Sequence, residues 1–496
     1  LYVVDKIYQH ARDTPAAPAI IYNAKPTPYA DFYRMIMAMR RSLASRGLKP
    51  GSVAALRISF LPVAWVANLA LRTLGLTTVS LRTDNEFAAC AGLDIGCVIT
   101  FGAERPEPID PDFAPGAPRI IITDADWQPG DDPGLPAPPA TTAGGHILLT
   151  SATTGRYKMV LLPAETEEAT REAGVMLYLS SGDQLRDDSG ALCVNLFDFG
   201  LWTAGGYATP MIIWSRGGAV VFHQSADIHR PFTLPQLTHA LAPPIYLVQL
   251  MKAPPGAFPR NDDLQIITVG GTPSMGLLHQ VQARLTRRVA TTLGSTESGS
   301  WAITPIETEE DLRWNRLHPS RVVEVVDEQD RPLPPGELGQ VRVLLDNGLE
   351  GYLNDADATA QAFRGGYFYP GDLGILDGSR RLALYGRVTA VLNVLGEKRP
   401  ALPVELAVEK ALGVDGVCAL SDEGPDLSEE LHIVIETPEK ISPERLRPVA
   451  ERHLSQFPKV HFHFVERLPR NDMGKVQRFK LQQMLIEKRL AAMTPV

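Results

Sequence analysis

A change of hydrophobic period along the chain narrows the fold more than any other feature. Up to about residue 305, segments with apolar residues three and four apart alternate with short β-branched runs. DFYRMIMAMRRSLASRGL has helical spacing and a stop at Gly47, and GSVAALRI follows as a strand. VAWVANLALRTLG reads as a second helix and TTVSL as another strand. Such alternation implies crossover connections and a parallel sheet. A Pro-, Asp- and Gly-rich connection over 103–145, broken by the strand RIIIT, interrupts the rhythm. It resumes with AETEEATREAGVML as a helix and LCVNLFDF, AVVFH and DLQIITVGG as strands. From about residue 318 the pattern becomes short alternating runs between Pro/Gly turns, which fits an antiparallel sheet. After Arg387 the order is helix PVELAVEKALG, strand LHIVIE, helix SPERLRPVAERHLSQF and strand KVHFHFVE. A small C-terminal domain beginning near 388 is the expected boundary.

Such a chain must bury several cores. With 496 residues, 44% of them hydrophobic, it has the material for roughly two to four domains. The net charge of −9 argues against nucleic acid or an anionic membrane as the main partner. The four cysteines, at 90, 97, 193 and 418, form no C-x-x-C pair, so no zinc or redox motif is present and a reducing cytoplasm is expected. LYVVDKIYQHARDTP has no signal-peptide core, and the apolar run from Ile58 to Leu71 is too short to cross a bilayer.

Four short stretches carry chemistry. In LLTSATTGRYKMVLLP, Thr150, Ser151, Thr153 and Thr154 supply hydroxyls, Gly155 backbone freedom, and Arg156 and Lys158 positive charge. That set can cradle phosphate oxygens. It is not a Walker A loop, because MVLLP, closed by Pro163, continues as a strand and not a helix. The plain alternative is a polar hairpin turn. In TTLGSTESG, Glu297 offers magnesium one carboxylate, or else simply opens a capped turn. In YPGDLG, Asp372 can accept from a ribose diol, or sit in an ordinary turn. In RNDMGKVQRFKL, Lys475 follows a glycine and precedes a helix, where it brings charge to a phosphoryl centre or is merely exposed.

Read in order, TSATTGRYK, LGSTE, YPGDLG, GRVTAVLNVLGEKR and RNDMGK resemble the superfamily of adenylate-forming enzymes. Its members are acyl- and aryl-CoA synthetases, peptide-synthetase adenylation domains and firefly-type luciferases. The resemblance covers nearly the whole chain. It implies an α/β fold: an N-terminal part over 1–387, of two α/β subdomains and a distorted β-barrel, and a mobile α+β C-terminal domain over 388–496. It implies a reaction in which ATP converts a carboxylic acid to an acyl-adenylate, releasing pyrophosphate, before a thiol takes the acyl group. Cofactors would be ATP and Mg²⁺, with coenzyme A as co-substrate.

The resemblance also implies roles. Thr150, Ser151, Thr153, Thr154, Gly155 and Lys158 would hold the β- and γ-phosphates. Gly271, Thr272 and Pro273 would border adenine and the acyl pocket, with Leu293, Gly294 and Ser295 completing the nucleotide site. Thr296 would touch the α-phosphate and Glu297 bind Mg²⁺. Asp372 would take the ribose, with Arg387 beside it. Lys475 would bridge the acid carboxylate and α-phosphate. Asp198, Phe199, Gly270 and Gly299 would line the substrate pocket, Gly396 the thiol tunnel, and Thr389 would stand at the hinge. Ala152, Met159, Leu293, Pro370 and Thr389 depart from the common pattern.

Asp198 opens two further readings. Peptide-synthetase domains often carry Asp there to pair with an amino acid's ammonium, whereas Asp is also a favoured N-cap for a helix beginning near Phe199. Three functions therefore compete: an acid:CoA ligase, preferred because the chain has no carrier domain; an amino-acid activating enzyme loading a separate carrier protein; and a nucleotide-binding protein without ligase activity. Phe199, Trp202 and Tyr207 fit either an acyl pocket or the core. The HFH at 461–463 is read as the polar face of an edge strand with no third metal ligand.

Overall fold

The computed structural model describes residues 2–90, 92–102, 108–129, 134–139, 142–151, 157–166, 192–197, 199–223, 227–388, 390–394, 397–423, 429–457, 459–470, 474–486 and 492–493. Two mixed sheets form the large N-terminal part. The first runs Arg119–Ile122, Ile95–Phe101, Val53–Arg57, Thr77–Ser80, His146–Ser151, Tyr157–Leu162. Every pair in it is parallel except the last, which closes as a hairpin. The second has Gln265–Thr268, His239–Ala242, Cys193–Asn195, Ala219–Phe222 and Pro18–Tyr22 in parallel. Val289–Ser295 extends it in parallel beside Gln265–Thr268, and its two edge strands are antiparallel: Lys25–Pro28 on Pro18–Tyr22, and Gly299–Pro305 on Val289–Ser295.

The expected βαβ rhythm is thus the scaffold, and two of its edge hairpins carry the phosphate-type loop and the Glu297 turn. Helix Leu61–Thr73 is buried along its whole length, packed in one core with residues of both sheets such as Leu56 and Val220. A helix apolar all round has no exposed face, and here the apolar run is core. Among the described residues no helix is long and apolar enough to cross a membrane.

The third unit, expected as a distorted barrel, is a seven-stranded antiparallel sheet that includes Leu338–Leu344, Asp372–Leu376 and Arg381–Arg387. The small C-terminal domain has its own sheet of Val417–Glu423, Glu429–Glu436, Lys459–Val465 and Ala492–Met493. One face packs Leu431, Ile433 and Phe462 on helices Ala401–Leu412 and Pro443–His453. The other packs Cys418, Leu420 and Val434 on Leu481 of helix Arg478–Ile486.

Three local expectations change. The helix expected from 164 begins as a single 3₁₀ turn, Ala164–Thr166, and the rest of that stretch lies outside the described residues. The helix expected near Phe199 starts at Ala204, where Thr203 caps it by accepting from the Gly206 amide at 2.9 Å. Asp198 is therefore not its cap. The HFH strand is not an edge, since Ala492–Met493 pairs with it, and a third imidazole joins from the neighbouring strand: His432 Nδ1 lies 3.0 Å from His463 Nε2. Among the described residues no group of three or more His, Cys, Asp or Glu is arranged to hold a metal ion.

Candidate active site

The edge hairpin of the first sheet sets Thr150 opposite Lys158 and Ser151 opposite Tyr157. Strand alternation then separates neighbours: Lys158 points to the site, while Met159 is 6% exposed in the core with Phe87 and Val98. Met159, a departure from the common pattern, is thus a core residue. Thr153, Thr154 and Gly155 lie outside the described residues, as do Ala152, Asp198, Thr389 and Gly396.

Lys158 Nζ sits 4.6 Å above the Tyr352 ring, a cation–π contact. The Tyr352 hydroxyl donates to Glu297 Oε1 at 2.8 Å. Burial, and then the adjacent Glu297 carboxylate, push the Tyr352 pKa up, so the phenol stays a donor. Glu297 is 6% exposed, in the turn between Val289–Ser295 and Gly299–Pro305. That turn is braced on several sides. Ser298 N donates to Ser295 Oγ at 3.1 Å, Asn347 Nδ2 donates to the Glu297 carbonyl at 2.8 Å, and Arg321, bound to Asp346 at 2.6 Å, donates to the Ser300 carbonyl at 3.1 Å. Thr296, half-buried, shares the turn.

Gly294 is required by close approach. A Cβ there would lie 2.4 Å from the Gly299 carbonyl oxygen and 2.8 Å from Ser300 Cα. Gly294→Ala is expected to destabilise the protein by roughly 1–3 kcal/mol. Denaturant titration checks this; an unchanged midpoint would mean that the hairpin yields freely.

Asp372 and Arg387 are cross-strand partners, with Arg387 Nε 3.1 Å from Asp372 Oδ1. Arg387 also donates to the Pro370 carbonyl, and Gly371 beside it has φ +79°. Burial raises the Asp372 pKa, while Arg387 and then Lys475 oppose that rise. Lys475 comes from the C-terminal domain. Lys475 is exposed to solvent. It is nevertheless enclosed enough that desolvation, followed by Arg387, lowers its pKa, with Asp372 and Glu297 pulling the other way.

Gly270 (φ +78°), Gly271, Thr272 and Pro273 follow strand Gln265–Thr268, and a Cβ on Gly271 would meet Pro244 at 3.7 Å. Phe199 is 5% exposed, its ring 6.4 Å from that of Tyr246. Tyr207 stacks on buried His146 at 4.1 Å and belongs to the core, whereas Trp202 is half-buried under the Arg82 guanidinium at 4.7 Å. Leu293 packs with the third sheet's core.

The structure therefore brings Lys158, Glu297, Asp372, Arg387 and Lys475 together from four distant segments. Tyr352 and Asn347 were missed in the sequence, where nothing local distinguishes them. A magnesium ion bound to phosphates asks a protein for only one or two carboxylates. A single buried carboxylate, held by the Tyr352 phenol, fits that demand and does not fit an all-protein cage.

This fold and site define a nucleotide-using enzyme. Residues 7–353 match the AMP-binding enzyme family, and the chain belongs to it. Similar proteins include a fatty acid–[acyl-carrier-protein] ligase of Streptomyces coeruleorubidus, 25% identical over 95% of this chain and 94% of its own. A 2-succinylbenzoate–CoA ligase of Bacillus velezensis is 24% identical over 96% of this chain and 97% of its own. The O-succinylbenzoate coenzyme A synthetase of Bacillus subtilis, solved with ATP and magnesium ion, shares the fold with a TM-score of 0.79. It is 19% identical, with 96% of this chain and 99% of that one covered.

Proposed function

We propose that the protein activates a carboxylic acid with ATP, forming an acyl-adenylate and pyrophosphate, and then passes the acyl group to a thiol, coenzyme A first. One observation carries this reading: Lys475, from the C-terminal domain, faces the Asp372–Arg387 pair and the Glu297 turn of the N-terminal part. An acid oxygen attacks the α-phosphorus and the bond to the β-phosphate bridge breaks. Negative charge grows on the α-phosphate oxygens, where fixed cations act most strongly. Lys475 supplies that charge and orients the acid carboxylate. Asp372 receives the ribose hydroxyls, and Arg387 favours its ionised form against the opposing effect of burial. Thr296 donates to the α-phosphate, and Thr150, Ser151, Thr153, Thr154, Gly155 and Lys158 hold the outer phosphates. Magnesium, when bound, neutralises phosphate charge, and Glu297 is the residue that holds it. The C-terminal domain, from 388, pivots near Thr389 and brings the Gly396 loop to the thiol.

A second reading, transfer to a separate carrier protein, rests on the similarity to a fatty acid–[acyl-carrier-protein] ligase over almost the whole chain. Mixing enzyme, ATP and an accepted acid with coenzyme A or with a phosphopantetheinylated carrier separates them. A CoA thioester by mass spectrometry supports the first. Acyl transfer to the carrier alone replaces it. If only amino acids react and Asp198→Ala is inactive, Asp198 pairs with an ammonium.

A further inference from the structure

Lys475 is long and flexible, and a charge acting on one phosphoryl oxygen must be held to within about 0.5 Å. Two arginines brace the backbone on either side of it. Arg470, before it, donates through Nη1 to the Gly474 carbonyl at 3.0 Å and through Nη2 to Glu436 Oε2 at 2.9 Å. Arg470 and Val476 form a β-bridge, and the Gln477 amide donates to the Pro469 carbonyl at 2.7 Å, closing the base of the turn. Arg478, after it, opens the helix Arg478–Ile486. Its Nη2 reaches Glu405 Oε1 at 2.5 Å and its Nη1 the Ala419 carbonyl at 2.9 Å. Glu405 is 4% exposed and also accepts from the Ala419 amide at 2.7 Å. On the opposite side Gly474, at φ +78°, lies beside Ile245: a Cβ there would be in ordinary contact with its side chain, at 3.9 Å. The described residues flanking Lys475 are thus tied to the C-terminal domain on both sides, and Gly474 lies beside Ile245 of helix Pro244–Met251.

We propose that Arg470 and Arg478 are positioning residues for Lys475, two guanidinium anchors that fix its turn against Glu436 and Glu405. The inference rests on the role given to Lys475 above. Arginine suits the task because its rigid planar fork grips two acceptors in fixed geometry, a carboxylate and a backbone carbonyl, whereas lysine is a flexible point charge.

The test uses Arg470, whose loss leaves no fully buried charge behind. Arg470→Met and Arg470→Lys are made in the wild type and in Lys475→Ala. Acid-dependent ATP–pyrophosphate exchange is measured, together with the pH profile of amine labelling at Lys475 by mass spectrometry. Arg470→Met is expected to lower kcat about ten- to a hundredfold with KM for ATP unchanged, since misplacement by an ångström costs that much. Arg470→Lys restores part of the loss. In the Lys475→Ala background Arg470→Met costs nothing more, because an anchor has no effect without what it anchors. The labelling profile of Lys475 in Arg470→Met moves towards that of a free lysine. Equal fractional losses in both backgrounds, or an unmoved profile, overturn the inference while leaving Lys475 its role. Full exchange by Lys475→Ala overturns both. Arg478→Met is then read against its melting temperature, because it strands buried Glu405.

Discussion

Lys475→Ala is expected to lower acid-dependent ATP–pyrophosphate exchange by about 10²–10³-fold, the usual cost of removing one fixed donor from a developing phosphoryl charge. The fold should survive, because Lys475 is solvent-exposed and belongs to neither C-terminal core cluster of the described residues. KM for ATP should hardly move, since Asp372, Arg387 and the phosphate hairpin remain. The loss therefore falls on kcat, the mark of an interaction made only in the transition state. The same residue fixes the pH dependence. Its pKa lies below the ordinary lysine value of 10.5, because desolvation and Arg387 disfavour the ammonium. The charged form is the active one, so wild-type exchange should decline as pH rises through that lowered pKa, at lower pH than a free lysine would lose its proton. An alanine variant with full exchange, or one whose only change is a weaker ATP KM, would remove Lys475 from the reaction.

Glu297→Gln should have the second largest effect. The amide still accepts from the Tyr352 hydroxyl, so the turn keeps its shape, but the charge that magnesium requires is gone. Even residues that only orient metal ligands cost about 10–100-fold when replaced, and a direct ligand should cost at least the upper figure, about 100-fold. The rate should also need more magnesium for half-saturation. Tyr352→Phe is the control: it keeps the carboxylate and removes its orienting donor, and should shift the magnesium requirement less. A Glu297→Gln enzyme with unchanged magnesium dependence would place the metal elsewhere.

The fold was legible because helical and strand periods differ, and period is a local property. Helix Leu61–Thr73 and strands Val53–Arg57 and Thr77–Ser80 fell where alternation put them. The candidate site was legible only as separate motifs, each with a plain alternative; their order along the chain pointed to the family. What stayed hidden depends on contacts between distant residues. Tyr352 reaches Glu297 across 55 positions, and Arg478 reaches Glu405 across 73. No local spacing records either. The helix after Phe199 was misplaced for a different reason. Asp198 and Thr203 are both good N-caps, and the choice is made by packing: Gly206 lies so close to the turn before it that a Cβ would fall 2.2 Å from the Gly200 carbonyl oxygen. Likewise His432 meets the HFH pair only because strand register sets it opposite His461.

The most direct test of the central claim follows one oxygen atom. An accepted acid, labelled with heavy oxygen in its carboxylate, is turned over with ATP and the thiol, and the nucleotide and phosphate products are analysed by mass spectrometry. Attack on the α-phosphorus should leave one labelled oxygen in AMP and none in pyrophosphate. Label in inorganic phosphate beside ADP, or no label in either product, would contradict an acyl-adenylate made at this site.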